Sequence, residues 1–149
     1  MIIDDILNIQ KNSYPYLFID KISEVTPMAK GLGKKCFTNS EWFFSKHDVF
    51  VPDFIVIESL VQIVVITIQS ETLYSSSVLN DLRFKDIIFR GVVQAGDVLI
   101  CECAILRIVR GIVYAETRGF VNNNLVCSMK VEIAIIDIFN KYLPSQFQI

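Results

Sequence analysis

His47, the only histidine of the chain, and Glu58, eleven residues further on, are the side chains best suited to moving a proton. Histidine titrates nearest neutrality, and a carboxylic acid can give a proton wherever its surroundings keep it protonated. Glu58 lies in "PDFIVIESLVQIVVITIQ", among residues that would desolvate it at a cost of several kcal/mol on the usual order of magnitude. Gln62 follows Glu58 at i+4, so on a helix the two share one face. That polar stripe lies near the helix N-terminus, whose first backbone N–H groups have no intrahelical partner. A His/Glu pair facing a helix-end anion site suits proton abstraction beside a carbonyl, because the enolate oxygen can rest on the free N–H groups. A structural reading stands beside this one. Glu58 is then a buried carboxylate tied to Arg83 or Arg90, and His47 is an ordinary loop residue. Spacing alone leaves both open.

The element that must position Glu58 runs from Asp53 to about Tyr74. Pro52 precedes it, and Asp53 is placed to cap the helix N-terminus. Its many β-branched residues are weak helix formers, so two buried strands are the alternative. Length and the lack of an internal Gly, Pro or Asn favour a helix that is apolar nearly all round and therefore buried. Upstream, Ile2, Ile3, Ile6, Leu7 and Ile9 have helical spacing that stops near Asn12 and Ser13. "YLFIDKISEVT" reads as a strand, Pro27 and Gly31 punctuate a turn, and "KGLGKKCFTN" reads as a second, more exposed strand. Downstream, "SSSVLND" is a polar connection. Four strand-like runs follow: "LRFKDIIFRG", "GDVLICECAILRIV", "GIVYAETRGFV" and "NLVCSMKVEIAII". "QAGD", Arg110-Gly111 and "NNN" break them, the last a tight hairpin signal. The layout is α+β, an antiparallel meander in a sheet wrapped around one helix.

Composition agrees with one domain over residues 1–149. The chain is 52% hydrophobic and 20% charged, which excludes disorder. A net charge of −2, with no basic cluster, argues against nucleic acid as a partner. "FIVIESLVQIVVITIQ" is interrupted by Glu58 and Gln62 and is shorter than the roughly 20 residues of a membrane span, so no membrane association is expected. "MIIDDILNIQKN" lacks the basic start of a secretory signal. Cys36, Cys101, Cys103 and Cys127 have no metal-ligand spacing and read as free thiols in a reducing cytoplasm.

Several stretches together resemble the β-hydroxyacyl-[acyl-carrier-protein] dehydratases of the hot-dog fold. "NSYPYLFIDKI" is similar to that family's opening H-R-Y-P-F-L-L-V-D-R-V, and "NSEWFFSKH" to its N-E-x-F-F-x-G-H. "PDFIVIESLVQ" resembles P-G-V-L-I-L-E-A-M-A-Q, and "FRGVVQAGDVL" resembles F-R-R-P-V-x-P-G-D-x-L. The resemblance implies a curved antiparallel sheet wrapped around one long central helix. It makes His47 the catalytic base and Glu58 the catalytic acid. Gln62 becomes the hydrogen-bonding partner of Glu58, and the N–H of Asp53 or Phe54 becomes the donor to the thioester oxygen. It further implies no cofactor and no metal, acyl-carrier protein or coenzyme A thioesters as substrate partners, and a homodimer or trimer of dimers with each site shared between subunits.

The chain departs from that pattern after the histidine. Family members continue Phe-Pro-Gly and open the helix with Pro-Gly. Here "DVFVPD" follows His47, the loop is about three residues shorter by this alignment, both glycines are gone, and Lys46 replaces the glycine before the histidine. Three other functions fit parts of the pattern: a hot-dog thioesterase, which has no need of His47; a non-catalytic hot-dog subunit that binds acyl-carrier protein or an active partner; and an unrelated small-molecule binding domain.

Overall fold

The computed structural model describes residue 6 and residues 15–149. The helix expected over residues 2–9 lies outside the described residues except for Ile6, which is fully buried. Among the described residues, six strands form a single antiparallel sheet: β1 Lys21–Thr26, β2 Lys30–Cys36, β3 Leu79–Phe89, β4 Val98–Val109, β5 Ile112–Val121 and β6 Asn124–Ile135. One long helix, α1, spans Asp53–Gln69, and a short one, α2, spans Ile136–Phe139. The architecture is the α+β class expected.

Tertiary burial overrides local preference in α1. Its Ile and Val side chains would favour a strand, yet Ile55, Val56, Ile63, Val64, Ile66 and Ile68 are all nearly inaccessible, with α1 packed across β2, β4, β5 and β6. The helix ends at Gln69, earlier than its sequence suggests, and Thr72–Tyr74 form a separate 3₁₀ turn. The first strand is also shorter than expected: it begins at Lys21, while Leu17–Asp20 have no regular structure. The "NNN" turn holds Asn122 and Asn123 at φ 50° and 64°, and Arg110 and Gly111 adopt 51° and 79°, the left-handed pairs that tight hairpins need.

The strand order is β1-β2-β4-β5-β6-β3, so the meander is confined to β4, β5 and β6. The expected four-strand meander is corrected here: β3 pairs with β6 and lies at the sheet edge, and the chain crosses over to reach β4. A meander reading assumes that strands adjacent in sequence are adjacent in space. The eight residues between β3 and β4, 90–97, instead carry the chain across that distance.

Close approach of α1 to β2 depends on glycine. A Cβ at Gly31 would run into Thr67 Oγ1, and one at Gly33 would meet Ile63 Cδ1 at 3.1 Å. Thr67 cannot retreat freely, because its hydroxyl donates to Ile63 O at 2.7 Å. Gly31→Ala is therefore expected to destabilise the fold by about 1–3 kcal/mol through overpacking, read as a lower denaturant midpoint with an unchanged slope.

Candidate functional site

Pro52, not Asp53, is the N-cap of α1; Asp53 is the first helical residue, and its side chain makes no capping bond. Proline suits the boundary, having no N–H to satisfy and a backbone already extended (φ −57°, ψ 141°). Ile55 and Val56 N–H donate to Pro52 O at 3.0 and 3.4 Å. The N–H groups of Asp53 and Phe54 precede these bonds and open the helix. Both residues are exposed, Phe54 by 60%.

Just over two turns further on, Gln62 organises the site. Its Oε1 accepts the Phe18 N–H at 2.7 Å, and its Nε2 donates to Tyr16 O at 2.8 Å and to Glu58 Oε1 at 2.9 Å. The amide is 1% exposed, so these bonds replace water that it cannot reach. Segment 16–18 is thereby fixed over α1, and Glu58 is held by the face-sharing residue that the i+4 spacing indicated.

Glu58 lines an apolar cavity of ≈ 470 Å³ with Tyr16, Phe18, Trp42, Phe54, Ile55, Ile57 and Phe84. Desolvation is the main cause that pushes its carboxyl above the ordinary glutamate value of 4.5; the Gln62 bond opposes the rise, and Asp81 adds to it. The structural alternative, an ion pair with Arg83, is not formed: Arg83 Nε lies 3.8 Å from Glu132 Oε2. Other hollows, one of ≈ 520 Å³ between Asp86, Glu116, Arg118 and Lys130, lie on the outer face of the sheet. Ion pairs such as Arg118–Glu102 at 2.6 Å cover that face, which reads as solvated surface.

Aromatic rings and one buried lysine hold the cavity wall. Trp42 donates from Nε1 to Pro15 O at 3.0 Å and meets Tyr16 edge-on, with Phe43 beside it at a centroid distance of 5.5 Å. Lys35, 7% exposed, reaches Glu41 Oε1 at 2.9 Å and Asp20 Oδ1 at 3.4 Å, while Asp20 Oδ2 accepts the Cys36 N–H at 2.6 Å. The sequence reading missed Lys35, Asp20 and Trp42. Lys34 and Lys35 are adjacent in sequence, and only the fold shows which of them is buried.

His47 is exposed and is not among the residues lining the Glu58 cavity. It sits in a turn closed by Asp48 N–H to Ser45 O at 3.2 Å and Ser45 Oγ to Asp48 Oδ2 at 3.0 Å. The chain after it is pinned to the "GVVQAGD" segment, Ala95 N–H to Val49 O and Val51 N–H to Val93 O, both at 2.8 Å. The structure thus joins Glu58 and Phe54 around one cavity, with Gln62 bonded to Glu58, and leaves His47 outside it. Cys101 and Cys103 are buried in the sheet, where desolvation raises both thiols.

The chain is similar to known proteins over most of its length. Residues 11–130 match the FabA-like domain family. The 3-hydroxyacyl-[acyl-carrier-protein] dehydratase FabZ of Chloroflexus aggregans is 26% identical over 138 residues, covering 91% of this chain and 96% of that protein. Its namesake from Clostridium kluyveri is 31% identical over 109 residues, covering 71% and 76%. Among solved structures, the dehydratase heterocomplex ApeI:P from Xenorhabdus doucetiae superposes with a TM-score of 0.76 at 11% identity, over 87% of this chain and 90% of that one. A hypothetical thioesterase from Streptococcus pneumoniae, solved with coenzyme A, gives 0.62 at 11% identity, over 77% and 84%. Those two likenesses are of fold.

A raised carboxyl in the folded state binds protons that the unfolded chain has released, so Glu58 costs stability as pH climbs above 4.5. Glu58→Gln removes that cost and keeps a polar partner for Gln62. Its melting temperature should exceed that of the parent at neutral pH, and the gain should shrink as the pH falls to 4.5 and below.

Proposed function

The chain belongs to the FabA-like domain family, and from this we propose that it dehydrates 3-hydroxyacyl thioesters on acyl-carrier protein to trans-2-enoyl thioesters. The observation that carries the reading is the Glu58 carboxyl, anchored by Gln62 on the wall of an apolar cavity and kept towards its acid form by burial. An apolar cavity with one acid suits an acyl chain whose β-hydroxyl must leave as water.

In the proposed reaction His47 removes a proton from Cα of the thioester. The electron pair moves onto the carbonyl oxygen, which rests on the N–H of Asp53 or Phe54. The enolate then re-forms the carbonyl, the Cα–Cβ double bond forms, and the Cβ–O bond breaks. Glu58 gives its proton to the departing hydroxyl, so the products are the enoyl thioester and water. Transfer of the abstracted proton from His47 back to Glu58 closes the cycle. Gln62 keeps the Glu58 carboxyl aimed.

Because His47 lies outside its own protomer's cavity, the proposed site uses His47 of the partner subunit. The surface for such pairing is β3, an edge strand on which Leu82, Phe84, Ile87, Ile88 and Phe89 are between 37% and 44% exposed. A second reading, a subunit that lends its fold to a different active partner, draws support from the shortened loop after His47.

Sedimentation at micromolar concentration should give a dimer; an active monomer overturns the shared site. Incubated with 3-hydroxybutyryl and crotonyl thioesters, the protein should lose or add water, followed by enoyl absorbance; release of free thiol indicates a thioesterase instead. His47→Ala and Glu58→Gln should each lower turnover by around 10²–10⁴. Mixed under subunit exchange, the two variants should recover about a quarter of parental activity, since a mixed dimer has one complete site of two. No recovery, with exchange demonstrated, rejects sharing across the dimer.

A further inference from the structure

The side chains around the Glu58 cavity are larger than the family pattern requires. Phe18 stands where "NSYPYLFIDKI" meets a leucine of H-R-Y-P-F-L-L-V-D-R-V, and Phe54 where "PDFIVIESLVQ" meets the valine of P-G-V-L-I-L-E-A-M-A-Q. Trp42, the chain's only tryptophan, holds a position that N-E-x-F-F-x-G-H leaves open. All three line the ≈ 470 Å³ cavity together with Tyr16, Phe84 and Glu58. A ring in place of a branched aliphatic chain adds volume at the wall and leaves less in front of Glu58. Trp42 is the fixed member of the set. Its Nε1 donates to Pro15 O at 3.0 Å, and its ring meets Tyr16 at 6.4 Å and Phe43 at 5.5 Å, both edge-on. Glu41 beside it is tied to the buried Lys35 at 2.9 Å, and Tyr16 O accepts from the Gln62 amide that also holds Glu58. Indole and acid are anchored in one network, so the room between them does not grow freely when a longer chain enters. Phe54, 60% exposed on the first turn of α1, has room to rotate.

We propose that Trp42 is a specificity-determining residue and that the cavity takes short acyl groups: the pinned indole, with Phe18 and Phe54, leaves room for a butyryl-sized chain at Glu58 and turns away long ones. The reaction performed on that chain rests on the dehydratase reading; the size limit does not. A short chain buries its few methylenes against the rings of the wall. A long chain has to push the indole off Pro15, losing the Nε1 bond and the edge-on contacts, or leave its far methylenes in water. The Glu58 side does not yield, because Gln62 is 1% exposed and bonded at both ends of its amide. In the proposed dimer the Phe84 side is covered by the second copy, which closes that exit as well. An apolar pocket separates ligands that differ by one methylene by roughly 10–200-fold, so a limit of this kind is readable in rates and affinities.

The test compares 3-hydroxybutyryl- and 3-hydroxydecanoyl-coenzyme A by kcat/KM on the full-length protein. Their saturated, unreactive counterparts, butyryl- and decanoyl-coenzyme A, are compared by calorimetric affinity. The parent should turn over the shorter thioester at least about ten-fold better, and bind decanoyl no more tightly than butyryl. Trp42→Ala should raise the decanoyl-to-butyryl ratio by about ten-fold or more in both measurements. Trp42→Leu gives the same change, smaller, should the Ala variant fail to fold. A merely loosened fold would weaken both chain lengths together and leave the ratio where it was. In the parent, the emission of Trp42 should shift as butyryl-coenzyme A binds. The proposal is overturned by an unchanged ratio in the variants, by a parent that accepts the decanoyl chain equally well, by binding of neither thioester, or by butyryl binding that leaves the emission unaltered. A ratio of affinities that moves in a protein without turnover upholds the size limit and rejects the dehydratase reading alone.

Discussion

The amide of Gln62 joins two parts of the chain that would otherwise be independent. Its oxygen accepts the backbone of Phe18, and its nitrogen serves both Tyr16 O and Glu58 Oε1. Residues 17–20 lie outside any strand or helix; the Asp20 N–H finds Lys34 O at 2.8 Å, but the Phe18 N–H is satisfied by the Gln62 side chain. Removing this amide would leave the Phe18 N–H unsatisfied and Glu58 without its anchor. Buried unpaired groups cost about 1–3 kcal/mol each. The same bonds therefore stabilise the entrance segment and fix the direction of the acid.

Burial alone would make Glu58 an acid without orientation, and the hydrogen bond alone would favour its ionised form. The net rise in its pKa means that desolvation outweighs the Gln62 bond. Lys35 solves the opposite problem nearby. It is buried too, but it has two carboxylates within reach and is tied into the fold as a paired charge. The two buried ionisable groups thus differ in consequence. Lys35 holds the loop that carries Trp42 and leads to His47, while Glu58 has a neutral amide as its hydrogen-bond partner and an apolar cavity in front of it.

Periodicity and motif spacing were enough to locate α1, the hairpins and the Glu58–Gln62 pair, because each is decided within a few residues. The i+4 contact is a property of any helix, and Asn at positive φ is a property of the residue. What was not legible depends on distant partners. The end of α1 at Gln69 has no breaker, since the next residues are still helix-compatible Ser, Glu and Thr. Asp53 looked like a cap because its type is right, yet proline took the boundary. The place of β3 at the sheet edge could not be read from its own sequence, whose alternation resembles that of the interior strands. The side on which Arg83 falls depends on an irregularity that only the pairing with β6 reveals.

The edge strand also bears on the apolar composition. Five large apolar residues of β3 are part-exposed, and Tyr16, Trp42 and Phe54 around the cavity mouth are 47–63% exposed. Contiguous apolar surface of this extent is uncommon on a free monomer. Phe84 belongs to both sets, since it lies on the edge strand and lines the Glu58 cavity. A second copy paired along β3 would cover the strand and close the cavity from the side where Phe84 lies. In the proposed dimer, assembly and completion of the site are then one event, driven mainly by apolar burial. Closing the cavity would also exclude water from Glu58 and strengthen every electrostatic term acting on its proton. In an isolated protomer, with less desolvation, a smaller share of Glu58 would carry its proton at neutral pH, even if a histidine were supplied to it.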